Sequence, residues 1–397
     1  MELYLQFGYG MMEHSRHLIR NWGTGHVILS PRDLTREQMQ RLGQEIIDVG
    51  GNILVDPQLY DPNSNHHRLR DHEYWPSNFN IDMLTGGPGL SELIRSLENL
   101  NTDSHATKFI IPGIYATRVD DDWLAIQDSI ISESKAIVKD MPLLATVCLS
   151  SESIRFEEQI ETIVNAAENW DVSGLYIVPE HPRTSYLVDD PMWLSNLMLL
   201  CSGIKLQRKT VIIGYANHQM LCLSAAKVDA ISAGTWLNVR SFSTAKFQET
   251  DEEDISRRAK WYYSPSVLSE FKIPFLDIAN SRGLLDSLKP DSSMESNYAS
   301  ILFSGAQPTT TSYSEQQSHR HYLQCLHQQC ISSVKLSFDE TVNANIEILN
   351  HAENLISELH RRGVRGQDRD FFNIIDVNRA ALISLNEARG FILKRIW

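Results

Sequence analysis

Two acidic side chains stand directly behind short apolar runs, where a parallel sheet would hold reactive groups. Asp56 follows NILV at residues 52–55, and Glu180 follows GLYIVP at residues 174–179. Two carboxylates that face one cavity can supply a general acid and a nucleophile. Asp56 also precedes Pro57, so the alternative is that it only shapes the exit of the strand, and the same alternative applies to Glu180.

Further polar side chains stand behind the other apolar runs. Amides and an arginine around one cavity would suit recognition of a polar flat ring such as a purine. The predicted substrate-binding residues are Gln58, Tyr215, Asn217, His218, Asn238 and Arg240. A lone histidine at the start of a helix is commonly structural, and this alternative applies to His218.

One spacing in the C-terminal part resembles a metal site. Cys325, His327 and Cys330 form a C-x-H-x2-C pattern, and His351 follows 21 residues later. These are the ligand types and the ligand number of a closed structural zinc site. Periodicity argues against it, because a continuous helix over these residues would point the three side chains in divergent directions.

The elements that would carry the two carboxylates alternate regularly between strand and helix. Apolar runs that predict strands occur at residues 3–7, 26–29, 52–55, 109–112, 143–148, 174–178, 210–214 and 230–233. These runs do not alternate strictly between apolar and polar residues, which is typical of parallel strands that are covered on both faces. We therefore predict an α/β fold, a (β/α)8 TIM-type barrel over residues 1–245, with its site at the carboxyl ends of the strands.

The remaining residues, 246–397, predict an appended, mostly helical subdomain with amphipathic helices near 315–334, 339–362 and 371–394. An open doubly wound sheet is the alternative architecture for the first part. It is weaker because Gly8 and Gly10 match only the opening of the GxGxxG phosphate turn.

Composition narrows the classes of function. The formal net charge of −14 opposes a broad phosphate-binding surface, although a local basic groove stays compatible with it. Five scattered cysteines do not form a disulfide framework, which fits a reducing compartment. We find no apolar run of about 18 residues and no signal-peptide pattern, so we expect a cytoplasmic protein with no membrane partner.

Three segments resemble the tRNA-guanine transglycosylases and their 7-deazaguanine DNA-modifying relatives. They are QIETIVNAAENWDVSGLYIVPE at residues 159–180, VIIGYANHQMLCLSAAKVDAISAGTWLNVRSF at residues 211–242, and the helix HAENLISELHRR that begins at His351. The likeness is one of layout and covers the second half of the barrel and the C-terminal region. It implies a (β/α)8 barrel with a zinc-bearing insertion, base exchange through an aspartate nucleophile, and His351 as a zinc ligand.

The sequence departs from that family where the chemistry resides. Asp229 matches the first aspartate of the motif on the eighth strand, but Ser232 stands where the nucleophile is expected. The DSGG turn is absent, and Asp56 in VDPQ is only a possible substitute for its aspartate.

Three functions remain open. The first is a transglycosylase-like or glycosidase-like enzyme that acts on a purine-type base of a nucleic acid or nucleotide, with Asp56 and Glu180 as carboxylates and Arg240 and Asn217 orienting the substrate. The second is a non-catalytic partner subunit, for which Ser232 is the main argument. The third is a phosphate-binding or flavin-binding barrel enzyme, with glycines after the seventh and eighth strands.

Overall fold

The barrel wall consists of nine short strands that all pair in parallel. The computed structural model describes residues 1–248, 259–291, 294 and 296–397. The strands of the wall are β1 Glu2–Gln6, β2 His26–Leu29, β3 Asn52–Val55, β4 Phe109–Ile111, β5 Tyr115–Ala116, β6 Leu143–Leu149, β7 Gly174–Pro179, β8 Thr210–Ile213 and β9 Ala230–Ala233. Because β4 and β5 together occupy one place in the wall, the barrel has eight strand positions, which is the number that the sequence predicts.

Strand order around the wall is β3-β2-β1-β9-β8-β7-β6-β4. The last strand, β9, pairs with the first, with Glu2 opposite Ala230 and Leu5 opposite Ala233. At the remaining seam, a single parallel bridge between Ile53 and Ala106 joins β3 to the segment before β4. The predicted (β/α)8 barrel is therefore confirmed as a nearly closed TIM-type barrel.

Helices cover the outside of the wall. Those between the strands are α1 Met11–Trp22, α2 Arg36–Ile47, α3 His67–Arg70, α4 Pro88–Asp103, α5 Asp121–Ile137, α6 Ser151–Arg155, α7 Glu157–Asn169 and α8 Pro191–Leu206. A capping box begins α2, since Thr35 and Gln38 each bond the other's backbone N–H.

The segment between β8 and β9 differs from the helix that the sequence predicts. It is a 3-10 helix, His218–Ala226, and nearly all of its residues are buried. It lies between α8 and the C-terminal helices, which contact it from the outer side.

The described part of the C-terminal region contributes a hairpin and four α-helices. The hairpin pairs β10 Trp261–Ser264 with β11 Ser269–Lys272 in antiparallel fashion, and the sequence pattern does not predict it. The helices are α9 Ile273–Ser281, α10 Glu315–Ser333, α11 Phe338–Arg361 and α12 Ile375–Ile396. The last three confirm the mostly helical character of this region.

Two of these helices complete the outer layer of the barrel. α12 packs on α8, which explains why α8 is buried along almost its whole length. α10 packs on β1 and α1, next to the seam between β9 and β1. There the indole N–H of Trp22 donates to Gln324 at 2.7 Å, and His327 stacks on the Trp22 ring. A division of the chain at residue 245 stays a prediction.

Among the described helices, none is both long and apolar enough to cross a membrane.

Candidate functional site

Asp56 lies at the mouth of the barrel, directly after β3, and three tyrosine hydroxyls donate to its carboxyl group. The Tyr60 hydroxyl is 2.8 Å from both oxygens, and the Tyr215 hydroxyl is 2.8 Å from Oδ2. The Tyr176 hydroxyl lies 3.3 Å from Oδ2, and the backbone N–H of Gln58 donates to Oδ1 at 3.0 Å. We call Tyr60, Tyr176 and Tyr215 the tyrosine cage.

The cage sets the proton affinity of the carboxyl group. Burial raises the pKa of Asp56 to about 6, while the hydrogen bonds from Tyr60, Tyr215, Gln58 and Tyr176 limit the rise. Burial also raises the pKa of each cage tyrosine well above its ordinary value, so all three hydroxyls stay protonated as donors. A carboxyl group of this kind can give up or take a proton near neutral pH.

Two residues of the site have left-handed backbone conformations. Gln58 has a φ of 55° and Tyr215 a φ of 53°. For residues other than glycine this costs on the order of 1–3 kcal/mol each and is concentrated at functional sites. The Gln58 side chain is also held in place, since its amide donates to Ser30 Oγ at 2.9 Å and its oxygen accepts from the Arg32 backbone N–H at 2.9 Å.

Below the cage, Gln6 continues the polar network into the barrel. Its Oε1 accepts from the Tyr176 hydroxyl at 3.1 Å and from Ser232 Oγ at 2.8 Å. Its Nε2 is buried and has no hydrogen-bond partner among the described residues. Ser232, which occupies the position of the expected nucleophile, therefore belongs to this buried network and is a hydrogen-bond donor to it.

An aromatic pair closes the mouth of the barrel above Asp56. Phe242 lies against Tyr60 and Tyr215, with ring centroids 5.0 and 5.3 Å apart. Phe247 also lies against both tyrosines, at 5.3 and 6.3 Å. We call Phe242 and Phe247 the aromatic seal. Because of it, the Asp56 side chain is fully buried.

Glu180 lies at the rim of the same mouth, directly after β7, and is half-buried. The Tyr115 hydroxyl donates to its Oε2 at 2.5 Å, and the backbone N–H of Ser151 donates to the same oxygen at 3.2 Å. The backbone N–H of Tyr115 donates in turn to the Tyr60 carbonyl oxygen, which connects this carboxylate to the cage. The structure thus brings both predicted carboxylates to one end of the barrel.

Arg240 takes part in a separate cluster, where the exit of β9 meets the C-terminal region. Its Nη1 lies 3.4 Å from Glu270 Oε2, and Arg369 Nη1 donates to the same oxygen at 2.8 Å. Arg240 also donates from Nε to the Gly234 carbonyl at 2.8 Å and stacks on the Tyr322 ring. We call Arg240, Glu270 and Arg369 the arginine cluster.

The two arginines dominate the charge of Glu270. Burial on its own would raise the pKa of this carboxyl group, but Arg369 and Arg240 outweigh burial and lower the pKa to about 2. Glu270 is therefore an anion at any physiological pH. Its second oxygen, Oε1, is buried and has no hydrogen-bond partner among the described residues.

A cavity of about 170 Å³ opens beside the arginine cluster. It lies between the exit of β9, the hairpin, the start of α10 and the loop that carries Arg369. Its lining residues are Thr235, Trp236, Leu237, Arg240, Ala259, Lys260, Trp261, Glu270, Glu315, Ser318, His319 and Arg369.

The other predicted substrate-binding residues have local roles. Asn217 donates to the carbonyls of Tyr186 and Arg240, and its Oδ1 caps the following 3-10 helix. His218 is buried against aromatic rings, and burial lowers its pKa to about 4. Asn238 is half-buried, and its Oδ1 has no hydrogen-bond partner among the described residues.

The structure does not bring the predicted zinc ligands together. Cys325 and Cys330 are buried in the core, and the Cys325 thiol contacts His321. His327 stacks on Trp22, and His351 is exposed on α11. Within the described part of the chain, no three His, Cys, Asp or Glu side chains could hold a metal ion. The reason is the continuous α10, which turns its side chains in different directions.

Close packing accounts for the glycines that suggested a phosphate site. A Cβ on Gly214 would lie 2.6 Å from the Tyr176 hydroxyl oxygen, and one on Gly234 would lie 2.4 Å from the Gln6 carbonyl oxygen. Both glycines let the backbone approach the network inside the barrel, so their presence needs no bound phosphate.

The sequence pattern does not identify the two phenylalanines of the aromatic seal, or four residues of the tyrosine cage and the arginine cluster. Tyr60 and Tyr176 complete the cage, and Glu270 and Arg369 complete the arginine cluster. Tyr60 had a usable signal, because it follows Asp56 by four residues in VDPQLY. Glu270 had a weaker one, as a charge within the short apolar-alternating run SEFK.

Comparison with known proteins identifies no family for this chain. No protein-family model and no curated protein matches the sequence. Similar solved structures include a GH10 xylanase of Thermobacillus composti, at 8% identity over 61% of this chain and 89% of that one, with a TM-score of 0.35. Xylanase 10B of Thermotoga maritima gives 10% identity over 58% and 82%, with a TM-score of 0.35. The carboxyl transferase domain of Rhizobium etli pyruvate carboxylase gives 10% identity over 97% and 77%, also with a TM-score of 0.35.

Proposed function

We propose that this chain is a barrel enzyme that breaks or exchanges the glycosidic bond of a purine-type base in a nucleotide or nucleic acid. The observation that carries the proposal is the Asp56 carboxyl group at the barrel mouth, held by three tyrosine hydroxyls. Two strained neighbours, Gln58 and Tyr215, support it, because such backbone strain is concentrated at functional sites.

The two carboxyl groups suit different roles in this reaction. Asp56, with a pKa of about 6, would protonate the leaving base as the carbon–nitrogen bond breaks. Glu180 at the rim would attack the sugar carbon, and a water or an incoming base would then displace it. Arg240 and Asn217 already bond to groups of the protein, so they would support the site without contacting the substrate.

The aromatic seal must open for this chemistry. Phe242 and Phe247 lie on the segment that follows β9, and they cover a carboxyl group that is fully buried. Loops that close over a barrel mouth can admit substrate and then exclude water. The proposal therefore requires the segment that bears the seal to move before each turnover.

The test is release or exchange of a labelled purine base from nucleosides, nucleotides and tRNA. We expect Asp56→Asn and Glu180→Gln each to lower the rate at least 100-fold, as loss of an acid or a nucleophile does. Asp229→Asn is the matched control, because Asp229 precedes β9 at the opposite end of the barrel and binds Lys205. Activity that survives both site variants would remove the proposal.

A second candidate is a binding barrel without chemistry that serves as a partner subunit. It is favoured by the buried state of Asp56 beneath the aromatic seal and by Ser232 in the position of the family's nucleophile. Turnover by the isolated, purified chain would eliminate it. The second candidate would be favoured over the first if the isolated chain shows no turnover and a co-purifying protein restores turnover even when the chain carries Asp56→Asn.

A further inference from the structure

The cavity beside the arginine cluster contains a buried acceptor that no described residue satisfies. Glu270 Oε1 is such an atom, and Glu270 is only 3% exposed. An unsatisfied buried acceptor is costly, and its cost is highest when the group is charged. A ligand that donates a hydrogen bond to Oε1 would remove this cost.

The neighbours of Glu270 restrict what such a ligand can be. Arg240 and Arg369 approach the carboxylate from two elements and both bind its Oε2. Arg369 engages only Nη1 in the described hydrogen bonds, so it keeps N–H donors for a ligand. Glu270 Oε1 is therefore an unsatisfied acceptor of a residue that lines the cavity together with both arginines.

An incoming phosphate does not match this pattern. The two arginines would attract it, but the ionised Glu270 carboxylate would repel it, and an ionised phosphate oxygen has no proton to donate to Oε1. The complementary pattern is a donor between two acceptors. A cyclic imide edge has it, with one N–H between two carbonyl groups, as in a uracil-type ring.

The walls and the size of the cavity agree with a flat ring. Trp236 and Trp261 line it, and about 170 Å³ accommodates a one-ring or two-ring heterocycle. His319 adds a second unsatisfied atom, Nε2, on the same wall. Burial and the nearby Arg240 lower its pKa to about 3, so it is a neutral donor or acceptor.

We propose that this cavity is a binding site for a cyclic imide ring, with Glu270 accepting the ring N–H and Arg240 and Arg369 donating to the flanking carbonyls. The site goes beyond the proposed reaction, because none of these contacts involves Asp56 or Glu180. Binding here and turnover at the barrel mouth can therefore fail independently.

The test uses the full chain and two isomeric probes in calorimetry. 1-Methyluracil keeps the imide N–H, whereas 3-methyluracil blocks it with a methyl group and has the same size and polarity. We expect 1-methyluracil to bind at least tenfold more tightly than 3-methyluracil and than 1-methylcytosine, whose ring nitrogen at this position is an acceptor. Inorganic phosphate at millimolar concentration should not compete.

Variants locate the binding. Glu270→Gln should abolish the preference between the two isomers, and Glu315→Gln, an exposed carboxylate on the same cavity, should preserve it. Asp56→Asn should also preserve it. The comparison of isomers on the unmodified chain keeps the test valid if Glu270→Gln fails to fold. Equal affinities, no binding of either isomer, or a preference that is lost with Asp56→Asn and kept with Glu270→Gln would each overturn the proposal.

Discussion

Asp56 and Glu270 are both buried carboxyl groups, and their surroundings change their proton affinity in opposite directions. Neutral tyrosine hydroxyls surround Asp56 and only partly offset the effect of burial, so its pKa rises to about 6. Two guanidinium groups contact Glu270 and more than offset burial, so its pKa falls to about 2. The charge of the partners, more than the depth of burial, decides whether a buried carboxyl group can transfer a proton near neutral pH.

The largest expected effect follows from removing the anion from the arginine cluster. Glu270→Ala should lower the free energy of unfolding by about 3–5 kcal/mol, because it leaves Arg240 buried without its counter-ion. Chemical denaturation at pH 7 measures this. Glu315→Ala, which removes an exposed carboxylate near the same cavity, should change stability by less than about 0.5 kcal/mol. A small loss with Glu270→Ala would mean that the arginines find other partners.

The next prediction concerns the pH dependence of stability, which has opposite signs for Asp56 and Glu270. The folded pKa of Asp56 lies above its ordinary value of 3.8, so Asp56 destabilises the folded chain increasingly as the pH rises from about 4 to about 6. Relative to Asp56→Asn, the wild-type chain should lose about 3 kcal/mol of stability over that window. Urea denaturation of both proteins at a series of pH values measures the difference. A constant difference would show that Asp56 titrates normally.

For Glu270 the pH window lies lower, and the ionised carboxyl group stabilises the folded chain instead of destabilising it. Its folded pKa of about 2 lies below the ordinary 4.5, so the ionised group stabilises the fold above about pH 4.5, and this contribution is lost as the pH falls toward 2. Arg369→Gln removes one of the two cations and should shift the loss to higher pH, with a cost of about 2 kcal/mol at pH 7. An acid-denaturation midpoint equal to that of the wild type would contradict the role given to Arg369.

The smallest effect tests a single donor of the tyrosine cage. Tyr215→Phe removes one hydrogen bond to Asp56 and should cost about 1 kcal/mol at neutral pH. It should also raise the pKa of Asp56 further, since a donor to the ionised form is lost. Carbon-13 titration of the Asp56 carboxyl carbon by NMR measures the shift. An unchanged or lowered pKa would indicate that the remaining hydroxyls compensate.

The barrel and the strand-end positions were predictable from the sequence, because local hydrophobic patterns determine them. Residues 26–29, 52–55 and 230–233 form strands with the predicted bounds. The rule that parallel strands carry their site at their carboxyl ends then selects Asp56, Gln58 and Tyr215, which the structure brings together.

The arginine cluster could not be predicted in the same way. Glu270 lies on β11, in a hairpin that the sequence pattern does not predict. Its partner Arg369 follows 99 residues later in a loop between two helices. Contacts over such separations depend on how the helices pack, and no local pattern encodes them. The zinc ligand set fails for a local reason instead, because the continuous α10 turns Cys325, His327 and Cys330 in different directions.

The position of α10 has a consequence for how the chain folds during synthesis. This helix covers the barrel beside β1, the first of the barrel strands in chain order, yet it ends at Ser333. The seam between β1 and β9 can form only once β9 ends at Ala233, and it then stays uncovered until α10 ends at Ser333, 100 residues later. We expect nascent chains arrested soon after β9 to remain protease-sensitive and to recruit chaperones, and to become resistant only once α10 has emerged.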